Sequence, residues 1–242
     1  MKRRHFLKAG SMAGLLAMVV PQNLWAYQTF TTDDLLGKGT PELFGEGKLR
    51  KQAHEAFLNM KEAAAKEGFT IKIVSGYRNF DRQKLIFERK YKKFTQAGLS
   101  SIEAINKIIE YSTIPGTSRH HWGTDIDIID DHGNYEGDVL VADKFHGEGP
   151  FCKFREWLEQ HANTFGFYIV YTNDPDRKGF KYEPWHYSYA PISKPMLQAY
   201  KKLDIRKILQ EQNLAGSDYF TESFMDAYIK NHILDINPQL KP

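Results

Sequence analysis

The chain has one cysteine, Cys152, in 242 residues, so an internal disulfide framework is excluded. It has no apolar run of the ~20 residues that a bilayer-spanning helix needs; its N-terminal apolar stretch, Ala9 to Val20, has 12 residues. Repeats, low-complexity tracts and linker-like segments are missing too, which excludes solenoids and collagen-like chains. Charge of one sign is also lacking. The formal net charge is +3, but Lys2, Arg3, Arg4 and Lys8 stand in residues 1–26 without an acid, leaving 29 basic against 30 acidic residues in the remainder. So balanced a chain carries no electrostatic footprint for nucleic acid. What is present is 41% hydrophobic and 26% charged residues with a mean hydropathy of −0.54, the profile of a folded globular protein. Without a leader, about 215 residues remain, enough for one domain with a large core.

Residues 1–26 are ordered as an export signal: a basic start, the apolar stretch, then Pro21 and a small residue at Ala26. Arg3-Arg4-His5-Phe6-Leu7-Lys8 resembles the twin-arginine export motif. An ordinary secretory signal and an uncleaved anchor are the alternatives. The expectation is an exported protein, located in the periplasm or at the cell wall, with no stable membrane anchor once the signal is cleaved after Ala26.

The remainder reads as helices mixed with short strands, without a regular βαβ rhythm, and so as an α+β fold. Leu49 to Lys66 places Ala53, Phe57, Met60 and Ala64 at helical spacing. Phe69 to Val74 alternates as a strand. Asp81 to Gln96 is helical, with Leu85, Ile86 and Phe94 apolar and with Arg89, Lys90, Lys92 and Lys93 as a solvated basic face. Thr124 to Ile129 alternates Asp and Ile, a strand whose two faces differ in polarity. Phe151 to Phe165 is an amphipathic helix, Phe167 to Tyr171 and Trp185 to Tyr189 are strands, and the chain is helical from Ser193 onward. There, Phe220, Phe224, Met225, Tyr228 and Ile229 have the spacing of core packing. The expected division is residues 1–26 as signal, 27–195 as the main domain and 196–242 as a helical C-terminal extension.

Three segments concentrate polar residues at expected strand ends. They are Ser75-Gly76-Tyr77-Arg78 with Gln83 five residues on, Ser118 to Asp127, and Glu183-Pro184-Trp185-His186-Tyr187. A catalytic zinc takes three protein ligands and keeps a position for water. His120 and Asp127 from one loop and strand, and His186 from another strand, could close such a set. On a regular strand Glu183 and His186 would face opposite ways, but Pro184 cannot join a central ladder and suggests a bend. A carboxylate near a metal can accept a proton from water, and Arg78 is a permanent cation able to clamp a carboxylate. A carboxylate clamp beside a hydrolytic zinc suits a peptidase that recognises a free C-terminus. The bland alternative is a polar, hydrogen-bonded cleft without metal.

In this order and spacing the segments resemble the VanY-type D-alanyl-D-alanine carboxypeptidase family of zinc metallopeptidases. Its pattern is Ser-Gly-Tyr-Arg with a downstream Gln, Ser-x-His-x-x-Gly-x-x-x-Asp, and Glu-Pro-Trp-His, all intact here over roughly residues 45–195. The resemblance implies a compact hedgehog/DD-peptidase-like zinc peptidase domain with a small, mainly antiparallel sheet and flanking helices. It implies Zn2+ as cofactor, with His120, Asp127 and His186 as ligands and Glu183 as general base. Arg78 would stabilise the carbonyl oxygen or grip the substrate's terminal carboxylate. Ser118 and Gln83 match positions that help hold that carboxylate, and Tyr77 and Trp185 would line the pocket. The implied substrate is a peptidoglycan stem peptide losing its C-terminal D-alanine, with D,D- and L,D-specificity both open. A peptidoglycan endopeptidase and a non-catalytic, zinc-stabilised wall-binding module are the competing readings.

One position departs from the family pattern: Asp125 stands where a small residue is usual. Asp125 could orient a ligand histidine, compete as a ligand or narrow the pocket, and the first is favoured. His121 is expected to line the pocket without binding metal. His54, His132, His146, His161 and His232 are expected at the surface or packed, and Cys152 as a buried or half-buried thiol.

Overall fold

The computed structural model describes residues 29–133 and 135–242. The expected export signal lies outside the described residues. Among these, no helix is long and apolar enough to cross a membrane.

Four antiparallel strands, β1 (Ile71–Ser75), β2 (Asp125–Asp130), β3 (Phe167–Ile169) and β4 (His186–Tyr189), form one sheet in the order β1-β2-β4-β3. The small antiparallel sheet among helices is the α+β architecture the sequence implies. β2 is central and buried along its whole length. Its register sets Asp127 opposite Ser75 of β1 and opposite His186 of β4. A bulge between Ile73 and Ser75 ends the regular pairing there, and the chain then turns into Gly76-Tyr77-Arg78.

Helix α1 (Thr32–Leu36) precedes α2 (Lys51–Lys66), which buries Ala53, Phe57, Met60 and Ala64, the expected stripe. These pack with Ile71, Ile126, Ile128 and Tyr187 of the sheet and with Phe154, Trp157 and Leu158 of α5 (Cys152–His161). A second, larger cluster joins α3 (Phe80–Gln96) and α4 (Ser101–Ile108) to α6 (Ala190–Tyr200), α7 (Ile205–Gln210) and α8 (Glu222–Tyr228). Phe220, Met225 and Tyr228 are buried in it. α6 runs without a break across residues 195 and 196, where the sequence suggested that a main domain ends.

The last helices bear directly on the loop before β2. The Tyr228 hydroxyl accepts from the Ile114 N–H at 3.1 Å and lies 2.8 Å from the Thr117 hydroxyl, while the Tyr200 hydroxyl donates to the Gly116 carbonyl at 2.8 Å.

α3 covers the helix expected at 81–96 and begins one residue earlier. Its inward face carries Phe80, Gln83 and Phe87, whereas Leu85 is 58% exposed. The helical stripe through Phe80 and Phe87 continues through Phe94, and Leu85 falls outside it. Asn79 caps the helix by accepting from the Arg82 N–H at 2.9 Å.

Candidate metal centre

Between Ser118 and β2 the chain makes one tight turn, Arg119–Trp122. The Ser118 side chain accepts the His120 N–H at 3.3 Å, and Gly123, at φ 67°, turns the chain into the strand. Only a residue tolerant of positive φ fits there, and a Cβ would meet Leu43 at 2.8 Å. This short connection brings His120 next to Asp127, and the β2–β4 register brings His186 to the other side. The Nε2 of His120 is 3.5 Å from Asp127 Oδ2, and the Nδ1 of His186 is 3.9 Å from Asp127 Oδ1. One donor atom from each of the three lies within 4.8 Å of the others, all three buried.

Outer partners set which nitrogen faces inward. His120 Nδ1 lies 2.8 Å from the Gly76 carbonyl; a carbonyl only accepts, so Nδ1 carries the proton and Nε2 presents its lone pair. His186 Nε2 donates to Asp125 Oδ1 at 3.1 Å, which turns Nδ1 toward the centre. Asp125 is held well below the ordinary carboxylate range: burial pushes up, but Arg119 and His186 pull down harder. Its Oδ2 accepts from Thr124 and Ser188 at 2.6 and 2.9 Å. Asp125 therefore sits behind His186.

Glu183 reaches the centre because Glu183-Pro184-Trp185 bends just before β4. The His186 N–H donates back to the Glu183 carbonyl at 3.2 Å, and Glu183 Oε2 lies 3.0 Å from His186 Nδ1. The bend anticipated from Pro184 puts both side chains on one side. Burial, helped by the charge of Asp127, raises the Glu183 pKa. His186 moves up to about 9: burial opposes its charge, but Asp125 and Glu183 together overcome it. Asp127 is lowered; burial acts upward but His120 outweighs it. His120 is lowered by burial and by Arg78.

Two imidazoles and a carboxylate are an N/N/O donor set suited to a divalent transition metal. Asp127 Oδ1 is buried with no hydrogen-bond partner among the described residues, so its lone pairs remain available to a metal. The residues fit the metal.

The three segments meet at a cavity of about 520 Å³ lined by Arg78, Ser118, His120, Asp127, Glu183, Trp185 and His186 among others. Tyr77 and Gln83 are not among its lining. Tyr77 lies by Arg50 and Asp34, and its N–H donates to the Gly47 carbonyl at 2.9 Å. Gln83 is buried and donates to the Thr113 carbonyl at 2.9 Å. His121, expected to line the pocket, does not. Its Nδ1 donates to the Arg78 carbonyl at 2.6 Å and its Nε2 accepts the Gly116 N–H at 3.1 Å. Burial pushes this imidazole down to about 3, so it is a neutral brace for two loops.

Two cations of this cavity, Arg119 and Lys90, stand outside the sites expected from the sequence. Arg119 is buried, donates to Asp125 at 3.0 Å and to Ser188 at 2.7 Å, and stacks over Trp122 at 4.7 Å. The unusual acid at Asp125 was its signal, since a buried carboxylate needs a counter-charge. Lys90 lines the cavity, unlike Arg89, Lys92 and Lys93, which are exposed. Its spacing from Gln83 and Ile86 placed it on the inward face. His54, His132, His146, His161 and His232 are half-buried or exposed and join no donor cluster among the described residues; Cys152 is half-buried beside Glu156.

Residues 46–192 match the family model described as VanY: D-alanyl-D-alanine carboxypeptidase, and the chain belongs to this family. It is 31% identical over 173 residues to YodJ of Bacillus subtilis, provisionally named a carboxypeptidase, covering 71% of this chain and 53% of that one. It is 30% identical over 132 residues to a D-alanyl-D-alanine carboxypeptidase of Enterococcus faecalis, covering 54% and 44%. The chain thus spans about half the length of the curated relatives it matches. A crystal structure of the vancomycin resistance D,D-pentapeptidase VanY from a VanB-type cassette, in complex with Zn(II), is similar with a TM-score of 0.50 and 25% identity. That match covers 75% of this chain and 89% of the other.

Proposed function

We propose that this protein is an exported zinc-dependent carboxypeptidase that removes the C-terminal D-alanine from peptidoglycan stem peptides. The observation that carries the proposal is the convergence of His120, Asp127 and His186 with Glu183 and Arg78 on one cavity. The signal-like residues 1–26 support export, to the compartment where the wall lies.

His120 Nε2, Asp127 and His186 Nδ1 would hold Zn2+, as the inward-facing atoms of the donor set suggest. Zinc there would supply Lewis-acid chemistry to the scissile carbonyl and to a water molecule. Glu183, whose raised pKa brings it nearer to working pH, takes the proton of the attacking water and returns it to the departing amine. Arg78, whose Nε is buried without a partner among the described residues, offers its charge to the carbonyl oxygen as that oxygen becomes negative. Asp125 orients His186 from behind, with Arg119 as its counter-charge. Ser118 offers a hydroxyl to the substrate and Trp185 an apolar wall. Gln83 and Tyr77 act through the loops they steady.

The test is mass spectrometry of products after zinc-loaded protein meets pentapeptide and tetrapeptide muropeptides. Loss of one alanine from the pentapeptide alone identifies D,D-carboxypeptidase activity, and loss from the tetrapeptide alone L,D-activity. Internal fragments would replace the proposal with an endopeptidase. Unchanged peptides with one zinc per chain would replace it with a binding module.

A further inference from the structure

We propose that Lys90 binds the terminal carboxylate of the substrate, which leaves Arg78 to the carbonyl oxygen. This rests on the carboxypeptidase reading and names what gives it its preference for a free C-terminus.

Removal of a C-terminal residue needs two sites for negative charge. One is the carbonyl oxygen under attack, and the other is the carboxylate one residue on, with successive Cα atoms about 3.8 Å apart. Two cations of the cavity, Arg78 and Lys90, are free to serve them. The third, Arg119, is committed to Asp125 and Ser188. The first two are graded outward from the candidate metal centre. Arg78 directly precedes the Asn79 cap of α3, and its charge bears on His120, Asp127 and Glu183. Lys90 lies further along the same helix, where the charges of Arg78, Glu183, Arg89 and Asp138 bear on it.

The helix aims Lys90 at this task. Side chains on a helix lean toward its N-terminus, so the Lys90 stem reaches back past Ile86 toward Arg78. Both residues line the cavity. Lys90 is half-buried, and no ion pair or hydrogen bond engages its ammonium among the described residues. Burial and the nearby Arg78 disfavour its charge; Glu183 and Asp138 support it. A desolvated, unpaired cation in a substrate cavity is an anion site. Gln83, the neutral candidate for the carboxylate, is not in the lining, and its amide donates to the carbonyl of Thr113. Ser118 remains in the lining as a hydroxyl partner.

The experiment compares a stem peptide ending in D-alanine as the free acid with the same peptide as its C-terminal amide. Zinc-loaded wild type, Lys90→Met and Lys90→Arg are measured, with zinc content and thermal melting checked for each. The wild type should prefer the acid strongly. Lys90→Met should raise KM for the acid roughly 10- to 100-fold, the value of a hydrogen bond to a charged group, with kcat little changed and amide cleavage unaffected. Lys90→Arg should keep most of the preference. If Lys90→Met melts early, Lys90→Gln takes its place. A full acid preference in a folded Lys90→Met or Lys90→Gln protein overturns the assignment while the carboxypeptidase reading stands; so does a fall in kcat with KM unchanged. Equal cleavage of acid and amide by the wild type overturns that reading itself.

Discussion

The two faces of β2 are equally buried and solve burial in opposite ways. Ile126 and Ile128, both 0% exposed, face Phe57, Trp157 and Tyr187 in an apolar cluster where burial is itself stabilising. Asp125 and Asp127 point the other way, where each buried polar atom needs a partner. Asp125 has them: Arg119, His186, Thr124 and Ser188 donate to its two oxygens. Asp127 keeps one oxygen unsatisfied. Two residues apart on one face, one aspartate is used up by the fold and the other is left open for a ligand. The difference teaches that partner count, and not burial or residue type, separates the structural acid from the functional one.

If that division is right, substitutions at the open end of the polar face remove activity without removing the fold. Glu183→Ala should lower kcat about 10³-fold, the usual worth of a positioned general base, with zinc content and melting close to wild type. Activity within tenfold of wild type would break the comparison at its functional end.

At the satisfied end the order reverses. Asp125→Ala leaves the Arg119 guanidinium buried without its counter-charge, and should cost about 3–5 kcal/mol in urea unfolding. Adding Arg119→Met to Asp125→Ala should recover most of that loss. Zinc affinity in Asp125→Ala should also fall, by roughly 10- to 100-fold, because His186 loses its orienting partner. Unfolding at the wild-type urea concentration would show that Asp125 is not held as described.

The apolar face should respond through stability alone. Ile128→Ala should cost about 3 kcal/mol by cavity formation, and kcat of the remaining folded protein should stay near wild type.

The smallest effect concerns His121, another fully satisfied polar group. Its folded pKa of about 3 lies below the ordinary ~6.5, so the stability it supports is whole above pH ~6.5 and drains as pH falls toward 3. Between pH 7 and 5 the wild type should lose up to about 2 kcal/mol more than His121→Gln, which cannot titrate there. Equal losses in urea titrations at the two pH values would mean that His121 is charged or exposed.

Much of this was legible in the sequence because it is local. The alternation Asp-Ile-Asp-Ile by itself separates a polar from an apolar face of β2, and Pro184 signals the bend that turns Glu183 toward His186. The α2 stripe follows helical spacing directly. What could not be read depends on contacts distant in sequence. The role of His121 is fixed by the carbonyl of Arg78, 43 residues away, and one partner of Arg119 is Ser188, 69 residues away. Lys90 is the intermediate case. Its neighbours Arg89, Lys92 and Lys93 made the whole basic run look solvated, although the spacing from Gln83 already placed it on the other side of the helix.

Zinc titration by calorimetry, on chelator-stripped protein, tests the central claim most directly. Wild type and Glu183→Ala should each bind one zinc per chain. Asp127→Ala and His186→Ala should bind none tightly while keeping the far-ultraviolet circular dichroism of the wild type. Unchanged zinc binding in Asp127→Ala and His186→Ala, or no zinc in the wild type, would contradict the claim that β2 and β4 together build the metal centre.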